Sequence, residues 1–201
     1  MAGKPGERRL QILQTLATML EAPAGDKVTT AALAGQLACS EAALYRHFAS
    51  KAQMFEGLID FIEQSLFGII NQITGEEEDG LRQVELMLSL LLGFAERNRG
   101  MTRVLVGDAL VHENPRLQAR INQLLDKLEA ALKQALRIAA TQGTVAAHRD
   151  FGALANLLRC HVQGRWEQYA RSGFSRTPLA QWSQQWPLLH AACTTAIDLS
   201  T

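Results

Sequence analysis

The segment SEAALYRHFASK, residues 40–51, gathers side chains that can bind phosphate on one short stretch with a helical pattern. Tyr45, His47 and Lys51 carry a hydroxyl, an imidazole and an ammonium, and proteins use such groups to contact the phosphates of DNA. The segment therefore predicts contacts with a nucleic acid. The alternative is that Tyr45 and His47 are ordinary surface residues of a helical bundle.

The first residues of this segment are small, as a helix that enters the DNA major groove requires at its N-terminal end. They are Ser40, Ala42 and Ala43. Since each residue turns a helix by about 100°, Tyr45 can share the surface that these small residues form. Leu44 and Phe48 then point toward the core. The spacing predicts a recognition helix with a small outward face.

A second short helix precedes this one. Thr29 and Thr30 offer an N-cap for a helix through Gln36, and Ser40 caps the next helix through Phe48. Two short helices joined by a tight turn form a helix-turn-helix pattern. In that arrangement we expect Thr29 and Thr30 to bind phosphate on the other DNA strand.

Helical spacing continues through the rest of the chain, and no segment has a convincing strand pattern. Two of the predicted helices begin with proline at the first helical position. These prolines are Pro115, which follows Asn114, and Pro178, which follows Thr177. The predicted helices cover about residues 7–21, 30–36, 40–48, 50–74, 81–97, 101–111, 115–140, 150–171 and 178–199. The predicted fold is therefore all-α with about nine helices.

Composition and charge set weaker bounds. The 201 residues are 47% hydrophobic with zero net charge, and residues 1–51 hold six basic and four acidic side chains, so charge alone gives little support for DNA binding. The N-terminus is polar, and no apolar run reaches the roughly 18 residues of a membrane span, so we expect a cytoplasmic protein. Cys39, Cys160 and Cys193 are widely spaced, which predicts small buried residues rather than disulfides or a zinc site.

Motifs of common enzyme classes do not occur in the sequence. It has no G-x-S-x-G, P-loop, H-E-x-x-H or G-x-G-x-x-G pattern, and its five histidines are scattered. We therefore expect no catalytic residues, no metal site and no cofactor. The tryptophans Trp166, Trp182 and Trp186 are expected in the core or in subunit contacts.

The segment TTAALAGQLACSEAALYRHFASKAQMF, residues 29–55, resembles the DNA-binding domain of TetR-family regulators. The resemblance implies a DNA-binding domain over residues 1–51, with its motif at about 29–48, and a helical core, dimerisation and partner-binding domain over 52–201. One residue departs from the family pattern, because Ala38 replaces the glycine of the turn. If Ala38 has a positive φ, the replacement costs about 1 kcal/mol.

Longer blocks resemble a narrower group of TetR-like proteins, the nucleoid occlusion factors. These blocks are SEAALYRHFASKAQMFEGLIDFIEQSL, LLLGFAERNRGMTRVLVGDAL and RLQARINQLLDKLEAALKQ. The resemblance implies a nucleoid-associated homodimer, with one or several dimers on a palindromic double-stranded DNA site, that binds the division protein FtsZ and stops its assembly over the chromosome. The alternative is a ligand-responsive repressor, as most TetR-like proteins are.

Two helices show features of a protein-binding face. Phe61 lies about 120° from the apolar stripe of its helix, and Leu90, Gly93 and Arg97 align on the next helix. The resemblance assigns FtsZ binding to Phe61, Leu90, Gly93, Arg97 and Asn98. The alternative is that Gly93 permits close helix packing and that Phe61 is buried beneath another helix.

The last two long helices are the predicted dimer interface, because one recognition helix reads too few base pairs for useful specificity. Small residues that allow close helix approach are Gly152, Ala153, Ala155 and Gly164. Residues that offer apolar area are Leu157, Leu158, Leu188 and Leu189.

Overall fold

The computed structural model describes residues 5–22 and 28–195, and every regular element in these ranges is helical. The α-helices are α1 (Pro5–Met19), α2 (Thr30–Gln36), α3 (Glu41–Tyr45), α4 (Lys51–Glu76), α5 (Gly80–Arg97), α6 (Arg99–Leu105), α7 (Pro115–Thr141), α8 (Phe151–Arg171) and α9 (Trp182–Thr194). A 3₁₀ turn, Asp108–Leu110, lies between α6 and α7. The described residues thus confirm the all-α prediction.

Three predicted boundaries are wrong. Helix α3 ends at Tyr45 rather than Phe48, and the helix expected up to Val111 is the shorter α6 followed by the 3₁₀ turn. Helix α9 begins at Trp182 instead of Pro178. The expected C-terminal end of α9, at about residue 199, lies outside the described residues.

A tertiary contact explains why α9 starts late. The guanidinium of Arg165 donates to the carbonyl oxygens of Thr177 and Pro178, at 2.9 and 3.2 Å. These carbonyls would accept from N–H groups four residues later if a helix began at Pro178. The backbone instead turns, with the N–H of Ala180 donating to Thr177 O and that of Trp182 to Leu179 O.

The chain divides into two compact units, one of residues 1–64 and 97–122 and the other of residues 65–96 and 123–201. Helices α4 and α7 each run from one unit into the other, and α5 lies in the second unit except for its last residue, Arg97. The domain boundary predicted between residues 51 and 52 falls in the first turn of α4, inside the first unit.

In the first unit, α6 holds the C-terminal end of α1. A Cβ added at Gly100 would lie 1.8 Å from the carbonyl oxygen of Ala17, so only glycine allows this backbone approach. Arg103 donates to the carbonyl oxygens of Leu20 and Ala22, at 3.2 and 2.7 Å. Cations suit this position, because the last carbonyls of a helix lack partners within the helix.

In the second unit, α8 packs on α5 through two buried aromatic residues. The indole N–H of Trp166 donates to Leu91 O at 3.0 Å, and the hydroxyl of Tyr169 donates to Glu96 O at 3.1 Å. Asp150 caps α8, and hydrogen bonds from the N–H groups of Ala153 and Gly152 lower the pKa of its carboxyl. The prediction that Trp166 fills the core is confirmed, since this side chain is fully buried.

The cysteines do not all follow the sequence prediction. Cys193 is buried, which raises the pKa of its thiol to about 11, and Cys39 is half-buried. Cys160 is exposed, because it lies on the outward face of α8, and the expectation that it is buried is wrong. Within residues 5–22 and 28–195, no three His, Cys, Asp or Glu side chains cluster as a metal site would require. Among the described helices, none combines the length and the apolar character needed to cross a bilayer.

Ala38, which replaces the glycine of the turn, adopts the left-handed conformation. Its φ is +48°, and the N–H groups of Ala38 and Cys39 donate to the carbonyls of Gly35 and Ala34. This is the Schellman hydrogen-bond pattern at the end of α2, in which glycine is the favoured residue. The turn therefore keeps the geometry of a glycine turn with an alanine in it.

Replacing Ala38 with glycine should raise the free energy of unfolding by about 1 kcal/mol, because it removes the steric cost of a left-handed alanine. Urea denaturation measures the change. Ala32→Gly is the matched control, since Ala32 is exposed within the same helix, and there glycine should cost up to about 1 kcal/mol. If Ala38→Gly lost as much stability as the control, the left-handed Ala38 would not be strained.

Candidate nucleic-acid interface

Helices α2 and α3 form a helix-turn-helix with both predicted caps in place. Thr29 Oγ1 accepts from the N–H of Ala32 at 3.1 Å, and Ser40 Oγ accepts from the N–H of Ala43 at 3.3 Å. These bonds satisfy N–H groups that have no partner within a helix and therefore define where each helix begins. The two N-caps predicted at Thr29 and Ser40 are confirmed.

The outward face of α3 is small, as its sequence predicts. Ala42 is exposed, Ala43 is half-buried and the side chain of Tyr45 is 44% exposed. Leu44 and Phe48 are buried, so the prediction that they point to the core is confirmed. A backbone bordered by such small side chains can approach base edges closely.

Two arginines of α1 donate hydrogen bonds to backbone carbonyls of the helix-turn-helix. Arg8 donates to Leu37 O at 3.3 Å, after the end of α2, and Arg9 donates to His47 O at 2.7 Å, after the end of α3. The Arg9 guanidinium also lies 4.2 Å from the centroid of the Phe48 ring. The positive groups satisfy carbonyls at helix C-terminal ends, which fixes the angle at which α3 is presented.

Some of the predicted phosphate-binding side chains are half-buried or have a partner within the chain. Thr30 donates its hydroxyl hydrogen to Glu41 Oε2 at 2.5 Å, and Lys51 forms an ion pair with Glu113. His47 is half-buried. The role of all these residues in DNA binding stays a prediction.

Sequence reasoning missed two groups at this surface. Arg46 is exposed between Tyr45 and His47, and its position within residues 40–51, beside the predicted phosphate-binding side chains, could have identified it. Glu113 lies 62 residues from Lys51 along the chain, and no local pattern points to it.

The predicted partner-binding residues lie on α4, on α5 and at the N-cap of α6. Arg97 is exposed at the end of α5, and Asn98 caps α6. Both residues line a cavity of about 180 Å³ whose other walls come from α1, Gly100 and Met101. The structure thus brings Arg97 and Asn98 to one concave site.

The other three predicted partner residues are less accessible. Leu90 is half-buried on α5, and Phe61 is half-buried on α4. Gly93 is buried on α5. Its burial is compatible with the predicted groove and also with the alternative of close helix packing. FtsZ binding by all five residues stays a prediction.

Helix α8 has an outward stripe of small and apolar residues. It consists of Ala153, Leu157, Cys160 and Gly164, all exposed, and the exposed polar residue Gln168 follows at its end. The side chain of Leu157 is 48% exposed, and that of Leu188 on α9 is 72% exposed. Ala155 and Leu158 were expected in the dimer interface, but both are buried within the second unit, because they lie on the opposite face of α8.

Two family models match the chain. The model described as bacterial regulatory proteins, tetR family, matches residues 12–58, and the SlmA-like model of the tetracyclin repressor-like C-terminal domain matches residues 78–193. A TetR transcription regulator from Haloarcula marismortui has a similar fold, with a TM-score of 0.80 and 16% identity over 94% of this chain and all of that one. The fold and the exposed α3 define a helix-turn-helix regulator of the TetR type.

The relatives narrow this class. The nucleoid occlusion factor SlmA of Alteromonas mediterranea is 51% identical over 185 residues, which cover 92% of this chain and 95% of the relative. The SlmA of Marinomonas sp. is 48% identical over 189 residues, which cover 94% and 96%. The chain belongs to the SlmA family of nucleoid occlusion factors.

Proposed function

We propose that the chain binds palindromic double-stranded DNA as a homodimer and, once bound, captures FtsZ and inhibits division-ring assembly over the nucleoid. The observation that carries this proposal is that similarity to nucleoid occlusion factors extends over the C-terminal half as well as the DNA-binding half. The model that matches the C-terminal half is the SlmA-like one, so the similarity is not confined to the helix-turn-helix of TetR-type regulators. The proposal places the protein in the cytoplasm, associated with the nucleoid.

In the DNA complex, the small face of α3 enters the major groove, while the motif's polar side chains bind the backbone. Tyr45, His47 and Lys51 bind phosphates on one side, and Thr29 and Thr30 bind the other strand. The hydroxyl of Thr30 exchanges its bond to Glu41 for a phosphate oxygen. Because phosphate contacts release counterions, affinity falls as salt concentration rises.

Dimerisation uses the outward stripe of α8 together with Leu188. The stripe lets two helices approach closely, since a Cβ added at Gly164 would meet no atom within 4 Å in the isolated chain. Leu157 and Leu188 contribute the apolar area that such an interface buries.

Leu157→Asp should convert the dimer to a monomer, because it places a carboxylate in an apolar interface. Sedimentation equilibrium across a range of concentrations measures the mass. Gln134→Asp is the control, since Gln134 is exposed on α7, which is not part of the proposed interface, and this variant should remain a dimer. A parent chain that sediments as a monomer at every concentration would contradict the proposed dimer.

FtsZ capture follows from the charge and shape around Arg97. An extended segment with acidic and apolar side chains fits a site where a cation borders a cavity. The half-buried Phe61 and Leu90 would add apolar contacts, each from its own helix. Pull-down of FtsZ with and without a DNA site tests this step. We expect retention with DNA present, and no retention in either condition would remove FtsZ from the proposal.

One observation bears on the alternative, a ligand-responsive repressor. A cavity of about 660 Å³ lies between α8 and residues 175–185, lined by His161, Arg165 and Gln185 among others. Sites for drug-sized molecules are mostly apolar with a few polar groups, whereas polar groups make up about half of this lining. The observation therefore favours the division inhibitor over the repressor, and release of DNA by a small molecule would reverse this preference.

A further inference from the structure

An ion pair joins the start of α4 to the turn before α7. The ammonium of Lys51 contacts a carboxylate oxygen of Glu113, and their side chains are 23% and 13% exposed. The same ammonium lies 5.6 Å from the centroid of the Phe55 ring, which is buried. An ion pair so shielded from water is screened less by salt than an exposed one.

Glu113 is held in place by the turn that carries it. Its N–H donates to Leu110 O at 2.9 Å, and α7 begins two residues later at Pro115. The turn starts at Gly107, which has a φ of +85° and where a Cβ would lie 2.7 Å from Gln118 Oε1. The carboxylate therefore meets Lys51 from a fixed backbone position and does not reach it from a flexible loop.

We propose that Glu113 competes with DNA phosphate for Lys51 and thereby lowers the affinity for all duplex sequences. This inference rests on the proposed DNA binding. Lys51 stands at the first residue of α4, where backbone N–H groups also favour an anion. A phosphate that binds there must displace the Glu113 carboxylate or share the ammonium with it.

The competition has a consequence for selectivity between the DNA site and other DNA sequences. A phosphate contact adds affinity without reading the base sequence. Partial neutralisation of Lys51 limits this unspecific part of the binding energy, so a larger share of the affinity comes from the base contacts of α3. Glu113 thus acts on DNA binding through Lys51, from outside the helix-turn-helix.

The test is a double-mutant cycle with Glu113→Gln and Lys51→Ala, read by fluorescence anisotropy on a random duplex. Glutamine keeps the shape of glutamate and an oxygen that accepts from Lys51, but it removes the negative charge. A dimer contains two such pairs, so we expect Glu113→Gln to tighten binding by about tenfold. In the Lys51→Ala background this gain should vanish.

Glu56→Gln is the matched control. Glu56 lies on α4, forms an ion pair with Arg116 at 2.8 Å and changes the net charge by the same amount when replaced. We expect it to tighten binding by less than about twofold. Equal gains in the two glutamine variants, or a gain from Glu113→Gln that survives in Lys51→Ala, would overturn the competition. If the parent chain binds no DNA, the proposed DNA binding fails together with it.

Discussion

Ala43→Leu should reduce affinity for a palindromic DNA site at least about a hundredfold, a loss of roughly 3 kcal/mol. Ala43 lies at the N-terminal end of α3, where the helix must approach base edges closely. Leucine there adds a branched side chain in each half-site and keeps α3 from its depth in the groove. Fluorescence anisotropy on a duplex selected for binding to the parent measures the loss.

A matched variant separates this effect from a general cost of leucine. Ala130 is exposed on α7, and Ala130→Leu should bind the duplex as the parent does. Helix content by circular dichroism should be unchanged in both variants, because Ala43 is only half-buried and leucine favours a helix. Parent-like binding by Ala43→Leu would show that α3 is not the recognition helix.

Arg97→Asp should abolish inhibition of FtsZ assembly while DNA affinity stays close to that of the parent. Loss of one partner in a buried interfacial charge pair costs about 2 to 5 kcal/mol, and reversal adds repulsion. Arg97 is exposed beside the cavity of α1 and α6 and lies outside the helix-turn-helix. Phe61→Ala should have the same outcome through lost apolar contact.

The control for Arg97→Asp is the same reversal at the other end of α5. Arg82 is exposed and forms an ion pair with Glu85 one turn away, at 2.5 Å. Arg82→Asp should inhibit assembly as the parent does. If Arg97→Asp and Phe61→Ala also inhibit like the parent, these residues are not the division interface, and the ligand-responsive repressor becomes the better interpretation.

Local signals in the sequence predicted the helices well where the chain itself satisfies their ends. Thr29, Ser40 and Asp150 cap α2, α3 and α8. Pro115 starts α7 as predicted, with Asn114 Oδ1 accepting from the N–H of Arg116 at 3.1 Å. In each case the cap and its partner lie within a few residues, so a short pattern contains all the information.

Contacts between distant residues explain the failures. Pro178 carries the same pattern as Pro115, but Arg165 binds the carbonyls that a helix start would need. The exposure of Cys160 depends on which face of α8 meets the core, and neighbouring residues gave no clear sign of it.

In the candidate DNA-binding site, too, local features were predicted and a contact between distant residues was not. Helical periodicity was enough to place Leu44 and Phe48 in the core and Ala42 on the surface. The Glu113 partner of Lys51 depends on how the turn before α7 folds back to α4, which no pattern near Lys51 contains.

The central claim is that the DNA-bound chain inhibits FtsZ assembly. One measurement tests it directly. Light scattering follows assembly of purified FtsZ with GTP in three samples: FtsZ alone, FtsZ with the chain, and FtsZ with the chain and its duplex site. We expect strong suppression of scattering in the third sample and weaker suppression in the second. Scattering in the third sample equal to that of FtsZ alone, with the chain shown by anisotropy to be fully bound to DNA, would contradict the claim.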